Sequence, residues 1–217
     1  MSEKNELYGL VLCGGESSRM GIDKSEIFYY GKKQKYFLYD LLEEFCDKVF
    51  ISCTYAQLIG SESGYENIID DESFENAGPM TGLLSFYVHH PEKSVLVAAC
   101  DYPFINGECI EKLIENRDAE NFKAVCYLNE ESDKYVFEPL LTIYEAPFLG
   151  TIFKNFIYQN YSLSRILEKE NVKAIEPPSD LILRNVNSPE EMDEAKKLID
   201  ILNYNYHYKL RNPGDEY

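Results

Sequence analysis

The segment that most constrains this chain is Leu12-Cys13-Gly14-Gly15-Glu16-Ser17-Ser18-Arg19-Met20-Gly21-Ile22-Asp23-Lys24. It follows directly on the short apolar run 8–12, which reads as a strand. No helix crosses a polar stretch punctuated by glycines at 14, 15 and 21 comfortably, so the chain must leave the strand in a loop. The carboxyl end of a strand is where open α/β sheets bind ligands. Adjacent glycines let the backbone approach a ligand closely and offer its N–H groups to phosphate oxygens. Arg19 adds a guanidinium fork suited to phosphate, and Lys24 a compact point charge.

Charge sharpens this reading. The chain carries −17 at neutral pH, yet residues 19–35 hold five basic and two acidic side chains. A locally basic segment in so acidic a chain calls for an anion. The overall acidity excludes general contact with nucleic-acid backbones or anionic lipid. Two familiar phosphate loops fail on spacing: a Walker loop needs G-x-x-x-x-G-K-[ST], and a dinucleotide fingerprint needs G-x-G-x-x-G. On composition alone the stretch is also readable as a glycine-rich turn with solvated charges.

The remaining pattern alternates strands and helices. Helical faces appear at Phe37, Leu38, Leu41, Leu42 and Phe45, at Leu83, Leu84, Tyr87 and Val88 after Gly78-Pro79, and at Ile110, Leu113 and Ile114. Strands are expected at 49–51, 66–70, 95–99 and 124–128, the run 95–99 being apolar throughout, as in a central strand covered on both faces. This alternation predicts an α/β fold with a largely parallel sheet. Residues 135–144 have strand character interrupted by Pro139, which predicts an edge or a bend. Two helices are expected within 147–161 and 162–170. Ser188-Pro189-Glu190-Glu191 is a helix start, and the helix it opens should turn Met192, Ala195, Leu198, Ile199 and Leu202 inward. Residues 1–202 read as one domain, and 203–217 as a polar, tyrosine-rich tail without regular structure.

The polar start lacks the apolar core of a signal peptide, and the longest apolar run is far short of a membrane span. Six cysteines, at 13, 46, 53, 100, 109 and 126, form no C-x-x-C pair and have no neighbouring histidine. They read as reduced thiols in a cytoplasmic protein that does not engage membranes.

The glycine-rich segment resembles the L-x-G-G-x-S-x-R-M-G-x-D-K signature of the molybdenum cofactor guanylyltransferases, with cysteine at 13 where that family typically has alanine. Asp70-Asp71 with Gly78-Pro79-Met80-Thr81-Gly82 resembles the family's acidic and G-P-L-x-G element. Cys100-Asp101-Tyr102-Pro103-Phe104 resembles its C-D-x-P-[FY] element, and Asn185-Val186-Asn187-Ser188-Pro189-Glu190 its late N-x-N-[ST]-P-E element. The resemblance runs in order from about residue 8 to 198. It implies a Rossmann-like GT-A nucleotidyltransferase fold and transfer of GMP from GTP to molybdopterin, with release of pyrophosphate.

By the same resemblance, Arg19, Lys24 and Asp101 are the expected catalytic residues, and Asp101 the magnesium (Mg2+) ligand beside the nucleotide phosphates. Nucleotide or acceptor contacts are expected from Leu12, Cys13, Gly14, Gly15, Lys24, Thr54, Asp71, Gly78, Pro79, Asp101, Asn185 and Asn187. Thr54 stands where the family often has asparagine. Asp101 and Asp71 are also readable as loop or cap residues, and Asn185 and Asn187 as backbone partners. Glu138-Pro139-Leu140 resembles an [EQ]-P-L element and reads as a fold feature. Three alternatives stay open: cytidylyl transfer to molybdopterin, nucleotidyl transfer to a sugar phosphate, and a non-catalytic nucleotide-binding protein. Within the resemblance, relatives selective for cytidine tend to carry alanine where Gly14 stands and lack the G-P-L-x-G element, so Gly14 and Gly78-Pro79 imply guanine rather than cytosine. A cofactor-handling protein is a candidate partner for the acidic remainder and the tail.

Overall fold

The structure, a computed structural model, describes residues 6–13, 23–129 and 137–211, with side chains to 203. In chain order its elements are β1 (Leu7–Leu12), α1 (Gln34–Glu43), β2 (Lys48–Cys53), α2 (Tyr55–Ile59), β3 (Asn67–Ile69), α3 (Pro79–His89), β4 (Ser94–Ala99), α4 (Gly107–Glu115), β5 (Ala124–Leu128), β6 (Phe137–Tyr144), α5 (Ala146–Ile157), α6 (Leu163–Leu167), β7 (Val172–Ile175) and α7 (Pro189–Arg211). The strands form one seven-stranded sheet in the order β3-β2-β1-β4-β6-β5-β7. All described pairings are parallel except those of β6, which runs against both β4 and β5.

β1 and β4 are buried at every residue, as unbroken apolar strands require. The chain goes outward from β1 through β2 to β3, then crosses back to place β4 on the other side of β1. The order therefore reverses between β1 and β4, and the crevice at their carboxyl ends is the site such a sheet offers a ligand. Most buried apolar side chains form one core on the sheet. A second cluster joins Ile27 and Tyr29, Phe104, Val186, and Ala195 and Ile199 of α7, so that α7 clamps the segment behind Lys24.

Three sequence expectations change. β6 is an interior strand, and the bend is the correct half of the Pro139 reading. Pairing with β5 shifts register between Leu128↔Phe137 and Cys126↔Thr142, and Pro139 falls in that irregular stretch, where a missing N–H is tolerated. The helix opened at Pro189 continues to Arg211, so the first part of the expected tail is helical; residues 203–211 contain neither glycine nor proline. Leu202, expected to face inward, is 45% exposed, whereas Ala195 and Ile199 are buried. Residues 212–217 of the expected tail lie outside the described residues.

Candidate active site

The floor of the crevice is made by the ends of β1 and β4. Their register, Leu12↔Ala99, brings Cys13 beside Cys100, with the two sulfurs 3.7 Å apart and both residues buried. Burial and the neighbouring Cys13 push the Cys100 thiol well above its ordinary range. Gly14, Gly15 and Arg19 lie outside the described residues.

The chain re-enters at Asp23, whose carboxylate is fully engaged. Oδ1 accepts from the Ser25 N–H and hydroxyl at 2.9 and 2.7 Å, capping the 3-10 turn Lys24–Glu26. Oδ2 accepts from the Gln57 side chain at 2.6 Å, which ties the end of the glycine-rich loop to α2. That turn sets Lys24 at the centre of the site. Its ammonium lies 3.1 Å from Asp101 Oδ2 and donates to Asn187 Oδ1 at 2.7 Å. Lys24 and Asp101 are 17% and 32% exposed, partly shielded yet open to a ligand. The Asp101 carbonyl accepts from the Val186 N–H at 3.0 Å, so the late segment is fastened to the end of β4.

Asn185 lies beneath this group. Its side chain lies beside Tyr102, which in turn neighbours Glu138. Glu138 is buried, and its oxygens accept from the Leu140 N–H at 2.9 Å and the Asn129 amide at 3.1 Å. Burial raises its affinity for a proton, and these hydrogen bonds oppose that rise. Asn185 Oδ1 is buried and has no hydrogen-bond partner among the described residues.

The expected residues on the β2–β3 side sit further along the strand ends and have structural duties. Thr54 caps α2 in a reciprocal box with Gln57. Asp71 caps the turn Glu72–Phe74 through Ser73, whose hydrogen bonds hold its carboxyl below the usual range. Asp70 is more buried; burial raises its carboxyl, although the Ser52 hydroxyl donates to it at 2.5 Å. Gly78 precedes Pro79 at the start of α3 with φ of 60°, a conformation that favours glycine. Gly82 is required for another reason: a Cβ there would lie 2.2 Å from Ser52 Oγ and 2.7 Å from Leu12 Cδ2.

The structure thus brings Lys24, Asp101 and Asn187 into direct contact, with Asn185 adjacent, and leaves Thr54, Asp71 and Gly78-Pro79 outside that group. The local positive excess is also partly consumed within the protein. Lys32 pairs with Asp40, and Lys33 and Lys35 both pair with Glu26. Sequence reasoning missed Asp23 with Gln57 and Tyr102 with Glu138. The Asp-x-Ser spacing of Asp23 and Ser25 carried a cap signal for the first pair. Nothing local announced the second.

A sequence model described as the MobA-like NTP transferase domain matches residues 9–174. A molybdenum cofactor biosynthesis bifunctional protein of Synechocystis is 36% identical over 188 residues, covering 85% of this chain but 52% of that relative. The chain therefore spans about half the length of that protein. A probable molybdenum cofactor guanylyltransferase of Nostoc is 27% identical over 207 residues, covering 93% of this chain and 96% of the relative. The crystal structure of molybdopterin-guanine dinucleotide biosynthesis protein A from Archaeoglobus fulgidus superposes with a TM-score of 0.72 at 22% identity, covering 89% and 98% of the two chains. At that identity the likeness speaks for the fold.

Proposed function

The chain belongs to the MobA-like NTP transferase family, and from that premise we propose that it is a nucleotidyltransferase that moves GMP from GTP to the terminal phosphate of molybdopterin. The observation that carries this reading is the Lys24 ammonium, held between Asp101 and Asn187 at the β1/β4 crevice. A lone carboxylate, part-exposed at the end of a buried strand, is the donor set magnesium uses when substrate phosphates complete its shell. Asp101 fits that description and would hold the ion, which supplies charge neutralisation at the phosphates when bound.

The protein's own groups then have distinct tasks. The backbone N–H groups of Gly14 and Gly15, with Arg19, meet the phosphates. Lys24 exchanges its contacts within the protein for the α-phosphate and the departing pyrophosphate, where negative charge develops. Asn187 is released from Lys24 by the same exchange and turns to the acceptor side with Asn185. Asp71 and the α3 start at Gly78-Pro79 serve the base, with Leu12, Cys13 and Thr54 lining the approach. An oxygen of the acceptor phosphate forms the new bond to the α-phosphorus as the bond to the pyrophosphate oxygen breaks. That oxygen is already ionised, so positioning and electrostatics suffice without a general base.

Calorimetric titration with GTP, CTP, ATP and UTP, with and without magnesium, followed by pyrophosphate release on adding molybdopterin, tests the proposal. Selective magnesium-dependent GTP binding with pyrophosphate release is the expected result. A preference for CTP would move the protein to the cytidylyl class, and tight GTP binding without release would make it a binding protein.

A further inference from the structure

Building on that reading, we propose that Gln57 is a positioning residue for the transfer step: its amide ties the turn that carries Lys24 to the head of α2, so that Lys24 keeps its place when it lets go of Asp101 and Asn187 for the phosphates. What holds Lys24 before that exchange is plain. Its ammonium lies 3.1 Å from Asp101 Oδ2 and donates to Asn187 Oδ1 at 2.7 Å. A phosphate that takes the ammonium ends both contacts, and the side chain then reaches from wherever its backbone is held.

That backbone is the 3-10 turn Lys24–Glu26. Asp23 Oδ1 caps it by accepting from the Ser25 N–H and hydroxyl, but a cap between residues two apart fixes the shape of a turn and not its place. Beyond the turn, Ile27 is buried in the cluster with α7. On the side of the glycine-rich loop the fastening is Asp23 Oδ2, which accepts from Gln57 Nε2 at 2.6 Å across 34 positions.

The Gln57 amide can face only one way. The Thr54 N–H can only donate and lies 2.9 Å from Gln57 Oε1, whereas a carboxylate only accepts, so the oxygen must meet Thr54 and the NH2 must meet Asp23. The Gln57 N–H also donates to Thr54 Oγ1 at 3.3 Å. One side chain therefore spans the chain segments leaving β1 and β2, which are parallel neighbours with Leu12 opposite Ser52. It sets Lys24 in register with Thr54, one of the expected nucleotide contacts. The work of Lys24 lies in the charge that develops at transfer, so an unfastened turn is felt in kcat more than in GTP binding.

Gln57→Glu isolates this contact. Glutamate serves a capping box as well as glutamine does, so the link to Thr54 survives, while Asp23 meets an oxygen in place of an NH2. Asp23→Asn makes the opposite error: the asparagine oxygen still caps Ser25, and its NH2 meets that of Gln57. In the double variant the asparagine NH2 donates to the glutamate, and the tie is rebuilt with its direction reversed. For the unaltered protein and the three variants, pyrophosphate release gives kcat and the KM values for GTP and molybdopterin. Calorimetry gives the GTP dissociation constant, and thermal denaturation gives Tm. We expect each single variant to lower kcat about tenfold, as for loss of a hydrogen bond to a charged group, and the double variant to recover to within about threefold of the unaltered protein. The dissociation constant and KM for GTP should stay within about threefold throughout. Unchanged kcat in Gln57→Glu, no recovery in the double variant, or a loss carried by Tm and GTP binding with kcat intact would each overturn the inference. If the unaltered protein releases no pyrophosphate from GTP and molybdopterin, the proposed function falls and this inference falls with it. If it does and Gln57→Glu turns over equally fast, only the inference falls.

Discussion

Replacing Gly82 by alanine should destabilise the protein through overpacking at a single point between α3 and the sheet. The new Cβ would stand 2.2 Å from Ser52 Oγ, 2.7 Å from Leu12 Cδ2 and 3.0 Å from Ser52 Cβ, so rotating one side chain cannot relieve all three. Either α3 lifts from the sheet or Ser52 and Leu12 are displaced. Overpacking of this kind costs about 1–3 kcal/mol. Displacing Ser52 also breaks its 2.5 Å hydrogen bond to Asp70, a carboxylate already raised by burial, for about 1–3 kcal/mol more. The total, about 2–6 kcal/mol, corresponds to a fall in Tm of at least about 4 °C in a chain of this size. Thermal and urea denaturation of Gly82→Ala, with Ser52→Ala and the double variant beside it, measures this. The double variant removes the shortest contact and should lose less than the two single losses added together. A Tm unchanged within about 1 °C would refute the close-approach argument.

Three further outcomes are expected. Arg117 holds the buried Glu145 by two hydrogen bonds of 2.8 and 2.9 Å, so Arg117→Ala should lose about 3–5 kcal/mol in urea denaturation, and replacing both partners with apolar residues should recover much of it. Lys24→Ala and Asp101→Ala should fold normally by circular dichroism yet lose about 10²-fold or more in turnover; near-normal turnover in either would remove that residue from the mechanism. Burial holds His90 below its ordinary pKa of 6.5, with the charges of His89, Lys48 and Lys93 acting the same way and Glu66 opposing them. The folded protein keeps this ring neutral where the unfolded chain takes up a proton. Its contribution is thus complete above 6.5 and is lost as pH falls through the folded value. His90→Gln should therefore lose less stability than the unaltered protein between about pH 7.5 and about pH 5, read by urea unfolding.

Unbroken apolar runs made β1, β4 and β5 legible, because a strand covered on both faces needs no alternation. The helix start at Ser188 was equally plain, and its box forms: Ser188 Oγ accepts from the Glu191 N–H at 3.1 Å, and the Glu191 carboxylate accepts from the Ser188 N–H at 3.1 Å. β7 escaped because Val172-Lys173-Ala174-Ile175 is short and only half-buried, and its pairing with β5 is a tertiary fact. The five-residue α2 is below the length at which periodicity speaks. In the site, Gly14-Gly15 and Asp101 were each legible as following an apolar strand; that the two strands are neighbours is a fact of the sheet order. The chain of contacts from Glu138 through Tyr102 to Asn185 joins three distant segments, and no spacing rule connects them.

The hydrogen bond between Lys24 and Asn187 spans 163 positions. During synthesis at about 5–20 residues per second, Lys24 leaves the ribosome well before its partner exists, by about 8–30 s. β1, β2, β3 and β4 can pair meanwhile, but β5 and β7 join that sheet only through β6, the antiparallel neighbour of β4. The segment carrying Asn185 and Asn187 follows all of these. A nascent chain therefore displays its glycine-rich loop and Asp101 early, while the centre that joins them to the acceptor side is assembled among the last steps of folding. Such long-range closure also predicts slow refolding for the size of the domain.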